Sequence, residues 1–211
     1  MDKPIIKSAR KAAGESTPGQ LNESGLIDSM GWLVGVIRKP SPNFNARPAH
    51  AAVDLLVIHN ISLPPEQFGG AYVDDFFLNQ LDTDEHPYFR EIEHLQVSAH
   101  FFIRRDGQVV QFVSVLDRAW HAGQSEWLGL ADCNNYSLGI ELEGSDNSLF
   151  TELQYQQLVG LTQILRGQFP AITPERIVGH SDIAPGRKTD PGPGFDWLHY
   201  RSCLTKSDLH S

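Results

Sequence analysis

Cysteine is scarce in this chain, with Cys133 and Cys203 the only two among 211 residues. Two thiols cannot build a disulfide framework, and a reducing compartment suits them, although a single bridge between them is compatible with the sequence. Positive charge is also in short supply. The 17 Lys and Arg face 26 Asp and Glu, a formal net charge of −9, which works against nucleic acid or an anionic membrane as a partner. No apolar run approaches the roughly 20 residues that span a bilayer. The opening stretch MDKPIIKSARKAAGESTPGQ has basic residues but no hydrophobic segment of the secretory kind, so a cytoplasmic protein is expected. There is no internal repeat, which excludes a solenoid or propeller.

What is present suits one globular domain: 40% of the residues are hydrophobic and 20% charged. Residues 1–30 lack a sustained apolar period and read as a flexible N-terminal extension, leaving 31–211 as the domain. VDLLVIHN (53–60) reads as a buried central strand whose C-terminal end opens into a loop. AYVDDFFLNQLD (71–82) has the spacing of a short helix. In 97–114, Asp106-Gly107 marks a hairpin between two β-rich runs. YSLGIELEG (136–144) alternates like a strand. TELQYQQLVGLTQILRGQF (151–169) is the clearest helix, with Thr151 as its N-cap and Pro170 as its stop. RIVGH (176–180) is a brief strand, and FDWLHYRSCL (195–204) a last helix. The mixture predicts an α/β domain built on a mixed central sheet flanked by helices. Residues 60–96 show little apolar period and read as a long insert of the kind that forms lids.

The polar residues collect where strands end. His59 closes the first apolar strand, and Glu141 lies in a later one. His180 and Asp190 flank GHSDIAPGRKTDPGP (179–193), whose composition suits neither a helix nor a central strand. Strand ends are where sheet proteins place sites. Two imidazoles and a carboxylate would make a zinc site with an open position for water. Blander readings stand beside this one. A histidine at a strand end can simply be hydrogen-bonded, and the chain has 9 of them. Asp182 and Asp190 could cap the loop, and Lys188 could be a solvated charge. Glu141 and Glu143 could form the wet face of an edge strand.

Five ordered stretches narrow the choice: LLVIHNISLPP (55–65), VSAHFFIRRDG (97–107), RAWHAG (118–123), CNNYSLGIELEG (133–144) and GHSDIAPGRKTDPGP (179–193). Together they resemble the AmpD-type zinc amidases, the bacterial N-acetylmuramoyl-L-alanine amidases that act on anhydro-muropeptides. The resemblance runs from about Gly31 to Leu204. It implies a mixed sheet with a zinc groove at the strand ends, zinc ligands at His59, His180 and Asp190, and catalytic residues at Glu141 and Lys188. It also implies a substrate contact at Asn60, and Trp120 and His121 are further candidates to line the groove, with core packing the alternative for Trp120. The implied substrate is a small molecule, a 1,6-anhydro-N-acetylmuramoyl peptide, and the implied role is cell-wall recycling with an effect on β-lactamase induction. Gln96 and Asp132 stand where some relatives carry arginine. A monomer is expected. A sensor that binds muropeptide without cutting it, and an extracellular lysin, are the competing roles.

Overall fold

In the computed structural model, which describes Leu21 and residues 26–208, the apolar runs of the sequence collect into a six-stranded sheet. Strand β1 (Ile37–Arg38) precedes β2 (Phe44–Asn45), which lies outside that sheet. The long β3 (Leu55–Ile61) follows, and then α1 (Tyr72–Phe77) and α2 (Pro87–Ile92). A hairpin of β4 (Phe101–Ile103) and β5 (Val109–Gln111) leads to the short β6 (Arg118–Ala119), β7 (Glu126–Trp127) and β8 (Leu130–Ala131). The chain then forms β9 (Ser137–Glu143), α3 (Glu152–Gln168), β10 (Ile177–Gly179), the single turn α4 (His180–Ile183) and α5 (Trp197–Asp208). The sheet order is β1-β5-β4-β9-β3-β10, mixed as expected: β9 runs parallel to both β3 and β4, whereas β4 and β5 are antiparallel. None of the described helices is long and apolar enough to cross a membrane.

Period-two alternation assigns each central side chain to a face. On one face Leu56 and Ile58 of β3, with Leu138, Ile140 and Leu142 of β9, meet Leu158, Leu161 and Leu165 of α3 and Tyr200 of α5. The other face carries Leu55 and Val57, packed with Ala122, Cys133, Val178 and Ile183. Residue 59 belongs to this second face, and so do 137, 139, 141 and 143 of β9. All seven residues of β9 are buried. Glu141 and Glu143 therefore lie on a central strand, and the wet edge considered for them is not where they sit. Helix α3 begins as expected, with Thr151 Oγ1 accepting from Gln154 N and the Gln154 side chain accepting from Thr151 N.

Three elements differ from the sequence reading. The helix expected over 71–82 stops at Phe77, because Asn79 turns the backbone left-handed at φ 58°. The insert 60–96 is not irregular throughout: His86 caps α2 and Pro87 occupies its first turn, where proline is favoured. Phe76, Phe77, Phe89 and Ile92 bury themselves there against Phe102 and Phe112. The loop after β10 opens with α4, whose start is tied by Gly179 N donating to Asp182 Oδ2 at 2.7 Å. Most of residues 1–30 lies outside the described residues. Within the described part Ile27 bridges to Leu33, and Leu21 N donates to Gln157 Oε1 at 3.0 Å.

Candidate metal centre

The C-terminal ends of β3, β9 and β10 deliver the site. Register pairs His59 with Glu141 across β3 and β9, so both side chains rise from one face at the same height. β10 pairs with β3 through Gly179 and Ile58, which sets His180 beside His59. The 181–190 loop then folds back, with Ser181 N donating to the Asp190 carbonyl at 3.0 Å. Gly179 is needed for that return, since a Cβ there would stand 2.8 Å from Pro191.

Three donor atoms converge as a result. His59 Nδ1 is 3.0 Å from His180 Nδ1 and 3.0 Å from Asp190 Oδ2, and His180 Nδ1 is 3.1 Å from the same oxygen. Ligands at about 2.0–2.2 Å on a tetrahedral centre stand about 3.3 Å apart, so this triangle has nearly the size of one face of a zinc site. The outer nitrogens are engaged too. His180 Nε2 lies 3.0 Å from the Ala122 carbonyl, which can only accept. A neutral His180 ring must then carry its proton on Nε2 and turn a bare Nδ1 to the cluster. Burial, and then the neighbouring His180, push the His59 imidazole down to about 4, so that ring is neutral at physiological pH. Burial alone would raise Asp190, but the imidazoles of His180 and His59 outweigh it and hold the carboxyl below the usual range. Two imidazoles and a carboxylate form the donor set zinc takes.

Glu141 stands beside this cluster in a different state. Burial first, and the Asp190 charge second, push its carboxyl well above the ordinary value, against the pull of Lys188. Its Oε2 is buried with no hydrogen-bond partner among the described residues. Such an atom is costly to maintain and marks a position where reacting groups are expected.

A groove of about 340 Å³ opens over the cluster and is lined by His121, Glu141, His180, Lys188 and Asp190 at its polar end. Ser145 and Glu66 line it as well and meet each other at 2.9 Å. The insert supplies an apolar wall of Phe76, Phe77, Tyr88 and Ile92. Asn60 lines the groove and donates to Asp146 Oδ1 at 2.9 Å. Trp120 lies outside this lining, half-buried, with its indole N–H donating to Asn45 Oδ1 at 2.7 Å. His121 reaches the groove, but its ring nitrogens are turned to His59 and Ser137. Gln96 and Asp132 face separate cavities of about 110 and 500 Å³. Sequence reasoning missed Ser137, Asn134, Glu66 and Ser145. Only Ser137 left a signal, its period-two phase with Glu141 along β9.

Comparison with known proteins fits this geometry. The family model described as N-acetylmuramoyl-L-alanine amidase matches residues 49–193, a span holding all three converging ligand atoms, Glu141 and Lys188. The chain is 52% identical over 181 residues to the 1,6-anhydro-N-acetylmuramyl-L-alanine amidase AmpD of Escherichia coli K12, covering 86% of this chain and 98% of that one. A crystal structure of a selenomethionine AmpD derivative matches with TM-score 0.82 at 51% identity, over 85% of this chain and 99% of that chain. The AmiD amidase of E. coli, solved with the substrate anhydro-N-acetylmuramic acid-L-Ala-D-γ-Glu-L-Lys, matches with TM-score 0.53 at 30% identity, over 86% of this chain and 66% of that chain.

Proposed function

We propose that this chain, which belongs to the N-acetylmuramoyl-L-alanine amidase family, cleaves the amide joining the lactyl group of a 1,6-anhydro-N-acetylmuramoyl residue to L-alanine. The substrate is a soluble muropeptide, and the setting is cytoplasmic peptidoglycan recycling by a monomer. The observation that carries this reading is the convergence of His59 Nδ1, His180 Nδ1 and Asp190 Oδ2 beside a buried, unpartnered Glu141. Relatives solved with anhydromuramic peptides bind small molecules of this kind. Consumption of such muropeptides would lower the signal for β-lactamase induction in bacteria that read it.

His59, His180 and Asp190 would hold zinc, and the ion would supply a Lewis acid that acidifies water and polarises the scissile carbonyl. Glu141, with its raised affinity for a proton, takes one from the attacking water. It then delivers that proton to the departing alanine nitrogen as the C–N bond breaks. The Lys188 ammonium lines the same groove and faces the negative charge that grows on the carbonyl oxygen. The apolar wall of the insert excludes water from one side of the bound substrate.

The test is product analysis. Incubation with soluble anhydro-muramoyl-tripeptide should release free tripeptide and the anhydro-sugar acid, read by mass spectrometry, while intact sacculi stay largely uncut. Binding without release would support a sensor, and efficient digestion of sacculi would support a wall lysin.

A further inference from the structure

The imidazole of His121 has no place in the chemistry above, yet it is 8% exposed and packed against the cluster. Its Nδ1 lies 2.9 Å from His59 Nε2 and its Nε2 lies 3.1 Å from Ser137 Oγ. The ring sits directly over Gly139, where a Cβ would come within 2.5 Å of its Cγ. β9 thus leaves a side chain out at 139 and places a hydroxyl at 137 and a carboxylate at 141, on either side of the ring. The backbone of this segment is pinned as well. Asn134 Oδ1 accepts from His121 N at 3.1 Å and from Ala122 N at 2.8 Å. The same two-residue segment therefore presents the His121 ring to His59 and the Ala122 carbonyl to His180.

We propose that His121 is a positioning residue that holds His59 in the orientation and tautomer able to bind a metal, acting through the chain His59–His121–Ser137. His59 must present a bare Nδ1 to the cluster, so its proton must sit on Nε2. His121 Nδ1 accepts that proton's hydrogen bond, and His121 then donates its own Nε2–H to Ser137 Oγ. An imidazole with a proton on Nε2 offers one acceptor toward His59 and one donor toward Ser137, which is what a link in such a chain requires. A residue with only donors or only apolar atoms could not serve. Outer partners of metal-bound histidines commonly account for about 10–100-fold in affinity.

The inference rests on the reading of His59, His180 and Asp190 as a zinc site, and the test separates the two. Zinc affinity is measured by competition with a chromophoric chelator, and the cobalt-substituted protein is examined by visible absorption. His121→Leu should bind zinc about 10–100-fold more weakly with an altered cobalt spectrum. His121→Asn should recover most of the affinity, because its Oδ1 is attached to Cγ as the imidazole Nδ1 is. Ser137→Ala, which removes only the far acceptor, should lose several-fold, and it serves as the test if His121→Leu does not fold. Wild-type affinity in His121→Leu or Ser137→Ala, or equal losses in the Leu and Asn variants, would overturn the proposal. A wild-type protein that takes up no zinc would instead overturn the site itself.

Discussion

Glu141 shows most directly how a single residue trades stability for chemistry. Its carboxyl is buried beside Asp190 and holds its proton well above the ordinary range. Glu141→Gln keeps the shape and removes the carboxyl proposed as the base. Turnover should fall by about 10²–10⁴ while metal content is unchanged, as judged by product release and metal analysis of the same preparation. Loss of metal in that variant would assign Glu141 to the ligand set instead. The shift also has a sign for folding. A carboxyl whose folded pKa is raised binds its proton more tightly in the native state. Its burial therefore costs little below the unfolded value of about 4.3 and becomes destabilising as pH rises through the folded value. The metal-free Glu141→Gln protein should unfold at a higher temperature than metal-free wild type at pH 8, with the gap closing near pH 4. A gap independent of pH would show that Glu141 is not ionising in the fold.

Among the elements, α3 and α2 make opposite points about what a sequence discloses. α3 has a four-turn apolar face and a capping box, both local signals, and it begins where Thr151 predicts. Thr151 Oγ1 also donates to the Arg105 carbonyl at 2.8 Å, tying the helix start to the β4–β5 turn. Thr151→Ala should destabilise the protein by about 1–2 kcal/mol in urea denaturation and leave turnover of the folded enzyme unchanged. α2 was illegible because six residues carry too little period, and because His86-Pro87 reads as a loop until the proline is placed in a helix's first turn. The strands β3 and β9 were legible as apolar runs. Their neighbours were not, since pairing is non-local. Without knowing that β9 lies between β4 and β3, an exposed edge stays open as a reading of Glu141 and Glu143, even though their apolar neighbours favour burial. The candidate ligands His59, His180 and Asp190 could be picked out at strand ends, but only resemblance to a family set them above the other histidines and carboxylates. Their spacing in the chain, 121 and 10 residues, carried no compact motif. The chain His59–His121–Ser137 was beyond sequence reasoning because it joins three elements through ring orientation.

At the scale of the molecule, two cores divide the labour. The face under α3 and α5 is largely apolar and anchors β3 and β9. The opposite face gives up part of its apolar area to His59, His121, Glu141 and Glu143, and the insert with α1 and α2 shelters that concession. A rigid sheet can thus hold three donor atoms within about 3 Å of one another, although the chain separates them widely. The account's central claim is that this triangle is a zinc site on which hydrolysis depends. Purified protein should contain about one zinc per chain and release peptide from anhydro-muramoyl-tripeptide. A strong chelator should abolish that release, and added zinc should restore it. Protein that cuts the substrate at an undiminished rate with no bound metal would contradict the account.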